Sequence, residues 1–190
     1  MRFSGALWKH SEDAQDVLGC AIRFRRDDQE TPEPADDDQD LLFATIRRPY
    51  TMPFSPLSTN VEDYLANDYF AVSPFDVGIG ERIYLRLHPA RRSSEARGTR
   101  SEKLARDVVE GHAQLNLEYG FEPFGPWHPL ATVSLERVAH VDGEAIRFRP
   151  FRAGRGIRPR GFVHALRSGV YAVSQWARPR LERRAANAAS

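Results

Sequence analysis

The segment RSGVYAVSQWAR, residues 167–178, places one arginine four residues before a tyrosine and another seven residues after it. On a helix, Arg167 lies one turn from Tyr171 on the same face, where its guanidinium can donate a hydrogen bond to the phenolic oxygen. The pKa of an isolated tyrosine is about 10, so a neighbouring cation and a metal favour the phenolate. Arg178 returns to the same side of this helix, which the sequence predicts from about Phe162 to Arg184. The spacing therefore favours a Tyr–Arg contact, which can stabilise a phenolate and is also common in plain surface packing.

Other residue types that perform chemistry are scattered. The six histidines show no HxH, HxxxH or HExxH spacing, so the sequence predicts no histidine metal site. No phosphate-binding loop and no Gly-x-Ser-x-Gly elbow is present. Cys20 is the single cysteine, which excludes an internal disulfide and suits a reducing compartment.

Length and composition indicate one folded domain. The chain has 190 residues, of which 41% are hydrophobic, and this is enough for a sizeable core. We expect a single domain over residues 1–184 and a disordered tail over 185–190. The 27 basic and 26 acidic side chains nearly cancel, so nucleic acid is not an expected partner. No apolar run approaches about 18 residues and no leader is recognisable, which predicts no membrane span and a cytoplasmic location.

Alternation of apolar and polar residues predicts a fold of class α+β that is mainly β. A helix is expected to start with Ser101 as N-cap and to place Leu104, Val108 and Val109 on one side. The sheet is expected to be an antiparallel β-barrel with this short internal helix and the C-terminal helix. The predicted strands cover residues 18–25, 41–47, 82–88, 113–119, 130–138 and 144–150.

An acidic stretch, Asp27 to Asp40, separates the first two of these strands. It holds seven carboxylates between Asp27 and Asp38, together with two prolines. This composition predicts an exposed, mobile hairpin loop, which adds little closure cost and can be removed. A calcium loop is not expected, because ligands alternating around a glycine turn are missing.

Several short motifs resemble those of haem catalases. The segments MRFS and DVLGCAIRF resemble an Arg-Phe-Ser strand followed by Asp-x-x-Gly-x-Ala-x-(Lys/Arg)-Phe. The later segments WHPLATVSLER, AIRFRP and GIRP resemble the Val-x-Leu strand, the x-Phe-x-Pro segment and the Gly-Ile-x-Pro turn of that family. The Arg-x-x-x-Tyr pair and a following arginine come next, as Arg167, Tyr171 and Arg178. The matches keep their order and cover about residues 1–48 and 113–178.

The resemblance implies a catalase-like barrel that binds haem b. It implies Tyr171 as the axial ligand of the iron, Arg167 as the charge partner of its phenolate, and Arg178 and Arg2 as partners of the haem propionates. The implied activity is that of a haem-dependent oxidoreductase acting on hydrogen peroxide or an organic hydroperoxide. Assembly into a homo-oligomer is left open.

Two departures from the family predict that this peroxide chemistry is reduced or lost. The distal histidine of catalases precedes the Arg-Phe-Ser strand, where this sequence begins, so we expect it to be missing. The distal asparagine is replaced in the segment that carries Ala44 and Thr45. Peroxide cleavage needs a base that moves a proton and a donor that holds the leaving oxygen, so losing both removes most of the catalytic gain.

Two alternatives stay open beside the haem protein. One is a haem-free pseudo-enzyme of the same fold. The other is a binding module with an arginine-rich, anion-binding surface over residues 147–167, where seven arginines alternate with Phe148, Phe151 and Phe162. Such a run is also typical of a solvated face that acids elsewhere in the chain neutralise.

Overall fold

The computed structural model describes residues 1–5, 16–27, 31–46, 58–78, 80–93, 97–139, 145–149, 152, 154 and 156–160. All of them lie in one compact unit, Met1–Arg160. The predicted domain 1–184 reaches past this unit. The C-terminal helix expected over residues 162–184 and the tail 185–190 lie outside the described ranges.

Within these ranges the chain forms nine strands, one α-helix and one 3₁₀ turn. In chain order they are β1 (Arg2–Gly5), β2 (Leu18–Phe24), β3 (Gln39–Ala44), the 3₁₀ turn (Tyr64–Ala66), β4 (Tyr69–Ala71), β5 (Phe75–Asp76), β6 (Arg82–Pro89), α1 (Arg100–Val109), β7 (Gln114–Gly120), β8 (His128–Ser134) and β9 (Arg158–Pro159).

Every strand pairing is antiparallel. The main path across the sheet runs β1, β2, β3, β4, β6, β7, β8, while β5 pairs with the first residues of β6 and carries β9 on its other side. The sheet curls into a half-barrel. The prediction of a mainly antiparallel β fold with a short internal helix is confirmed. Among the described strands, however, β1 pairs only with β2 and β8 only with β7, so the two edge strands do not pair with each other and close no barrel.

Alternation along the strands gives the sheet an apolar inner face and a polar outer face. In β6, residues Ile83, Leu85 and Leu87 are buried, while Arg86 and His88 between and beyond them lie on the other face. The period of two in a strand produces this separation. The other buried side chains of the inner face come mainly from three strands and are Leu18, Cys20, Ile22, Leu41, Phe43, Leu115 and Leu117.

Helix α1 and the 3₁₀ turn cover one half of this inner face. Val108 of α1 and Tyr64 and Leu65 of the 3₁₀ turn are part of the buried core. Thr99 begins the helix with a capping box: its hydroxyl accepts a hydrogen bond from the Glu102 N–H at 3.3 Å, and the Glu102 carboxylate accepts one from the Thr99 N–H at 2.9 Å. This reciprocal pair satisfies two free N–H groups of the first turn.

Two details of the helix prediction are wrong. The N-cap is Thr99 rather than Ser101, because the glutamate that completes the capping box lies three residues after Thr99. Val109 is 84% exposed and does not share the buried side of Leu104 and Val108. It is the last residue of the helix, where the chain turns away from the core.

The strand expected over residues 144–150 is absent from the part of it that is described, residues 145–149. The Arg149 N–H donates instead to a carboxylate oxygen of Asp40 at 2.9 Å. A side-chain acceptor thus replaces a ladder hydrogen bond. The neighbouring predicted strand, 130–138, is found as β8 and ends at Ser134.

The exposed loop expected over Asp27–Asp40 has a buried end. Asp38, Gln39 and Asp40 are each less than 8% exposed, and the last two belong to β3. Asp40 accepts hydrogen bonds from Arg23 Nε at 2.8 Å and Arg23 Nη2 at 3.1 Å. This hydrogen bond to Asp40 raises the pKa of Arg23. Arg152 Nε lies 3.3 Å from the second oxygen of Asp40, so the carboxylate joins β2 and β3 to Arg149 and Arg152.

We predict that Asp40→Asn lowers the free energy of unfolding by about 3 kcal/mol or more, because it removes the charge that compensates a buried arginine. Asp27→Asn is the matched control. Asp27 is half-exposed and pairs with Arg25 at 3.3 Å, so its loss should cost about 1 kcal/mol or less. Urea unfolding followed by circular dichroism measures both values. Equal losses in the two variants would contradict the structural role of Asp40.

Candidate functional site

The inner face of the half-barrel opens into an apolar cavity of about 810 Å³ beside the end of β2 and the start of β3. This volume is typical of sites for small organic ligands. Four polar residues, Arg25, Arg26, Asp37 and Gln39, take part in the lining. The other lining side chains are Phe24, Leu41, Val77, Ile83, Leu85, Leu117, Tyr119, Phe121, Leu130, Ala131 and Ile157.

The cavity exists because α1 and the 3₁₀ turn cover only the other half of the sheet. On the covered half, Leu18, Leu87 and Leu115 are fully buried. On the cavity half, Phe121 and Leu130 are 49% and 53% exposed. Large apolar side chains exposed together mark a binding surface more often than scattered single ones do.

Acidic neighbours hold the cavity's two arginines. Arg25 Nε lies 3.3 Å from Asp27 and 3.6 Å from Asp38, and Arg25 Nη1 donates to the Thr31 carbonyl at 3.1 Å. Arg26 pairs with Asp37 at 3.5 Å, but its side chain is 68% exposed. Arg26 is therefore accessible to an anionic group on a ligand in the cavity.

Tyr119 is the tyrosine that lines the cavity within the described ranges. Its ring packs against Phe121 and His128, with ring centroids 5.7 Å and 5.3 Å away. Tyr69 differs, because burial in the core raises its pKa well above the usual value and its hydroxyl donates to the Tyr64 carbonyl at 2.8 Å. Tyr69 thus remains a neutral phenol, which is a poor metal ligand.

Cys20 is also excluded from chemistry by its position. It is 2% exposed in the core, and burial raises the pKa of its thiol. The thiolate is the nucleophilic form of cysteine, so Cys20 is inert in the folded chain.

Of the four residues predicted to hold haem, the structure describes only Arg2. Tyr171, Arg167 and Arg178 lie outside the described residues. Arg2 begins β1 opposite Ala21, and the neighbouring Phe3 packs its ring on Tyr64 in the core at 5.0 Å. Alternation therefore places Arg2 on the outer face of the sheet. The structure does not bring Arg2 to the cavity.

The position expected to lack the distal amide of catalases has a structural role here. The Thr45 hydroxyl lies 2.8 Å from the Thr59 hydroxyl and accepts a hydrogen bond from the Leu18 N–H at 3.1 Å. It joins the end of β3 to the start of β2 and to the segment around Thr59. Ala44, the last residue of β3, supplies no polar side chain.

A second cleft, of about 560 Å³, lies at the end of β6 beside the 3₁₀ turn and contains a carboxylate–histidine pair. Asp68 Oδ1 lies 2.6 Å from His88 Nδ1. The sequence analysis missed this pair. The alternating pattern of β6 indicates that His88 lies on the polar face, but its partner is twenty residues earlier in the chain. Only the register of β4 against β6, with Tyr69 opposite Leu87, brings the two together.

Two further clusters contain residue types that can bind an ion. In the arginine-rich stretch, Arg152 pairs with Asp40 and Arg160 with Asp76 at 2.7 Å, so these cations are neutralised within the fold. Asp107, Glu110 and His112 lie close enough to share a cation. His112 Nδ1, however, is 3.1 Å from Arg91 Nη2 as well as from Glu110, and a guanidinium at that nitrogen opposes metal binding.

In comparisons with known proteins, no family model, no curated protein and no solved structure matches this chain. The likeness to haem catalases therefore remains a prediction from the sequence. No helix in the described part of the chain is long and apolar enough to cross a membrane.

Proposed function

We propose that the protein binds a large apolar molecule with an anionic group in the cavity of the half-barrel. One observation carries this proposal: a cavity of about 810 Å³ is lined mainly by apolar side chains of the sheet face that a domain normally buries. Transferring apolar surface from water to such a lining contributes about 25 cal/mol per Å² of buried area. A ligand that fills the cavity would cover Phe121 and Leu130, which solvent now contacts.

Arg26 is the reason why we propose an anionic group on the ligand. Its guanidinium is mostly exposed, and among the described residues its acidic partner is Asp37. A guanidinium has five N–H donors in a planar fork, so a carboxylate can bind to the donors that Asp37 does not use. An apolar ligand with a carboxylate fits this combination better than a neutral hydrocarbon does.

Ferric haem is the specific ligand that we propose to test first. The described lining fits the apolar body of such a ring, and Arg26 fits a propionate. Separately from the cavity, the catalase-like resemblance implies Tyr171 as axial ligand, Arg167 as its partner and Arg178 as a propionate partner, on a C-terminal helix of a catalase-type barrel. Tyr119 is the alternative phenol that the cavity itself offers. A bound haem would supply redox-active iron.

Efficient peroxide chemistry is not part of this proposal. The Thr45 hydroxyl contacts the Thr59 hydroxyl and accepts a hydrogen bond from the Leu18 N–H, so its contacts lie within the fold and it does not supply the carboxamide donor of an asparagine. We propose a cytoplasmic haem-binding protein in which decomposition of peroxide or hydroperoxide is weak or lost.

A haem-free binding module of the same fold is the second candidate. The position of Arg2 on the outer face favours it, because the haem reading needs Arg2 near a propionate. In this alternative the cavity takes another apolar carboxylate, and the catalase-like motifs reflect ancestry alone. An arginine-rich surface for nucleic acid is less favoured, since Arg152 and Arg160 have acidic partners in the fold.

We predict that purified protein takes up ferric haem at one equivalent, with an absorption band typical of tyrosinate ligation. Ala131→Trp should reduce affinity at least about tenfold, because the indole occupies the cavity where the small Ala131 lines it. Thr132→Trp, on the other face of the same strand, is the matched control and should change nothing. Absorption titration with haemin measures each affinity.

Two tyrosine variants then identify the ligand. If Tyr171→Phe abolishes the tyrosinate band and Tyr119→Phe does not, the resemblance has assigned the ligand correctly. The reverse result would place the iron at the cavity wall. Equal, weak uptake by the wild type and Ala131→Trp would overturn the haem proposal. Binding of a long-chain fatty acid that Ala131→Trp blocks would then favour the haem-free module.

A further inference from the structure

We propose that the cleft beside His88 binds the phosphate group of a small organic phosphate. This site is independent of the cavity, because the two share no lining residue. It is lined by Thr45, Ser58, Leu65, Ala66, Asn67, Asp68, Phe70, His88, Pro89, Arg91 and Arg92.

Paired strands fix the imidazole of His88. In the register of β4 and β6, Tyr69 is opposite Leu87, and the next position along places Asp68 beside His88. The 2.6 Å contact with Asp68 directs the Nδ1–H of His88 to the carboxylate. In this tautomer Nε2 is the nitrogen that can meet a ligand, and protonation turns it into a donor. No hydrogen bond to Nε2 is recorded among the residues that the structure describes.

A second layer of contacts holds Asp68. Its other oxygen, Oδ2, accepts from Arg86 Nη1 at 3.4 Å, while Arg86 Nε donates to Glu118 at 2.7 Å. The Arg86 guanidinium also lies over the Trp127 ring, 4.9 Å from its centroid. The chain Glu118, Arg86, Asp68, His88 thus pre-orients the imidazole, as a partner residue does for a working histidine.

Two arginines give the cleft a positive charge. Arg91 and Arg92 come one residue after the end of β6, and both are exposed. Arg91 Nη2 contacts His112 at 3.1 Å, which uses one of the five N–H donors of its guanidinium. Asp68 is the acid that lines the cleft, and Arg86 already offsets its charge. The net positive charge of the cleft favours an anion with several acceptor oxygens, for which arginine is the usual protein partner.

The rest of the lining restricts which anion fits. The Asn67 side-chain amide makes hydrogen bonds within the protein. It donates to the carbonyls of Asn60 and Asp63, both at 2.8 Å, and accepts from the Asn60 N–H. The cleft of about 560 Å³ is larger than a phosphate ion needs. Phe70 and Pro89 form an apolar wall beside the charged residues. An organic phosphate with a ring or short chain therefore fits better than inorganic phosphate does.

Phenyl phosphate is the probe that tests this site. We expect it to bind with a Kd of about 1 mM or lower and to shift the ring signals of His88 in two-dimensional NMR. Phenol should not bind, because it lacks the phosphate that the arginines contact. Inorganic phosphate should bind more weakly than phenyl phosphate, because it lacks the ring that packs against the apolar wall. Benzoate should also bind more weakly, and equal affinity for benzoate would overturn the assignment to phosphate.

Variants locate the binding. Arg92→Gln and His88→Asn should each weaken phenyl phosphate at least about tenfold in calorimetry, the usual effect of removing a charge-assisted contact. Arg82→Gln, an exposed arginine at the other end of β6, is the matched control and should leave affinity within about twofold. All three positions are exposed, so unchanged thermal unfolding is expected and verifies the fold. If His88 signals do not saturate, or Arg82→Gln weakens binding as much as Arg92→Gln, the proposal fails.

Discussion

One sheet face of this fold has more apolar surface than its helix can cover. The ten-residue helix α1 spans only about 15 Å, whereas the eight residues of β6 alone span about 27 Å. Together with the 3₁₀ turn, α1 buries the half of the inner face that contains Leu18, Leu87 and Leu115. The other half forms the cavity, and the proposed binding function depends on that uncovered half.

Charged side chains join the strands on the outer face of the sheet. The carboxylate of Asp40 is fully buried, and it joins Arg23 of β2 to Arg149 and Arg152. Burying such a group is tolerable only when donors surround it, as they do here. On the outer face, Arg86 plays the complementary part, since its partners fix the carboxylate that orients the cleft histidine. Both clusters are built across strands rather than within them.

Local patterns predicted the strands well, because a period of two is visible in the sequence wherever a sheet has one apolar face. Long-range hydrogen bonds were not visible in this way. The strand expected at 144–150 fails because Arg149 donates to a carboxylate 109 residues earlier in the chain. The N-cap was misplaced by two residues because Thr99 and Ser101 are both hydroxyl residues, and only the partner Glu102 distinguishes them. His88 could be assigned to the polar face, but its carboxylate partner depends on strand register, which the sequence alone does not reveal.

Helix α1 and the 3₁₀ turn cover one half of the inner face, and the other half is open to solvent. The most direct test of this difference uses methyl-labelled protein in solution with a soluble nitroxide radical, because the radical broadens the NMR signals of methyl groups that it can approach. We expect the methyl signals of Leu130 and Ile157, which line the cavity, to lose intensity, while those of Leu18 and Leu115 in the covered half keep it. Equal protection of both sets would show that the cavity half is covered in solution, and it would contradict the account.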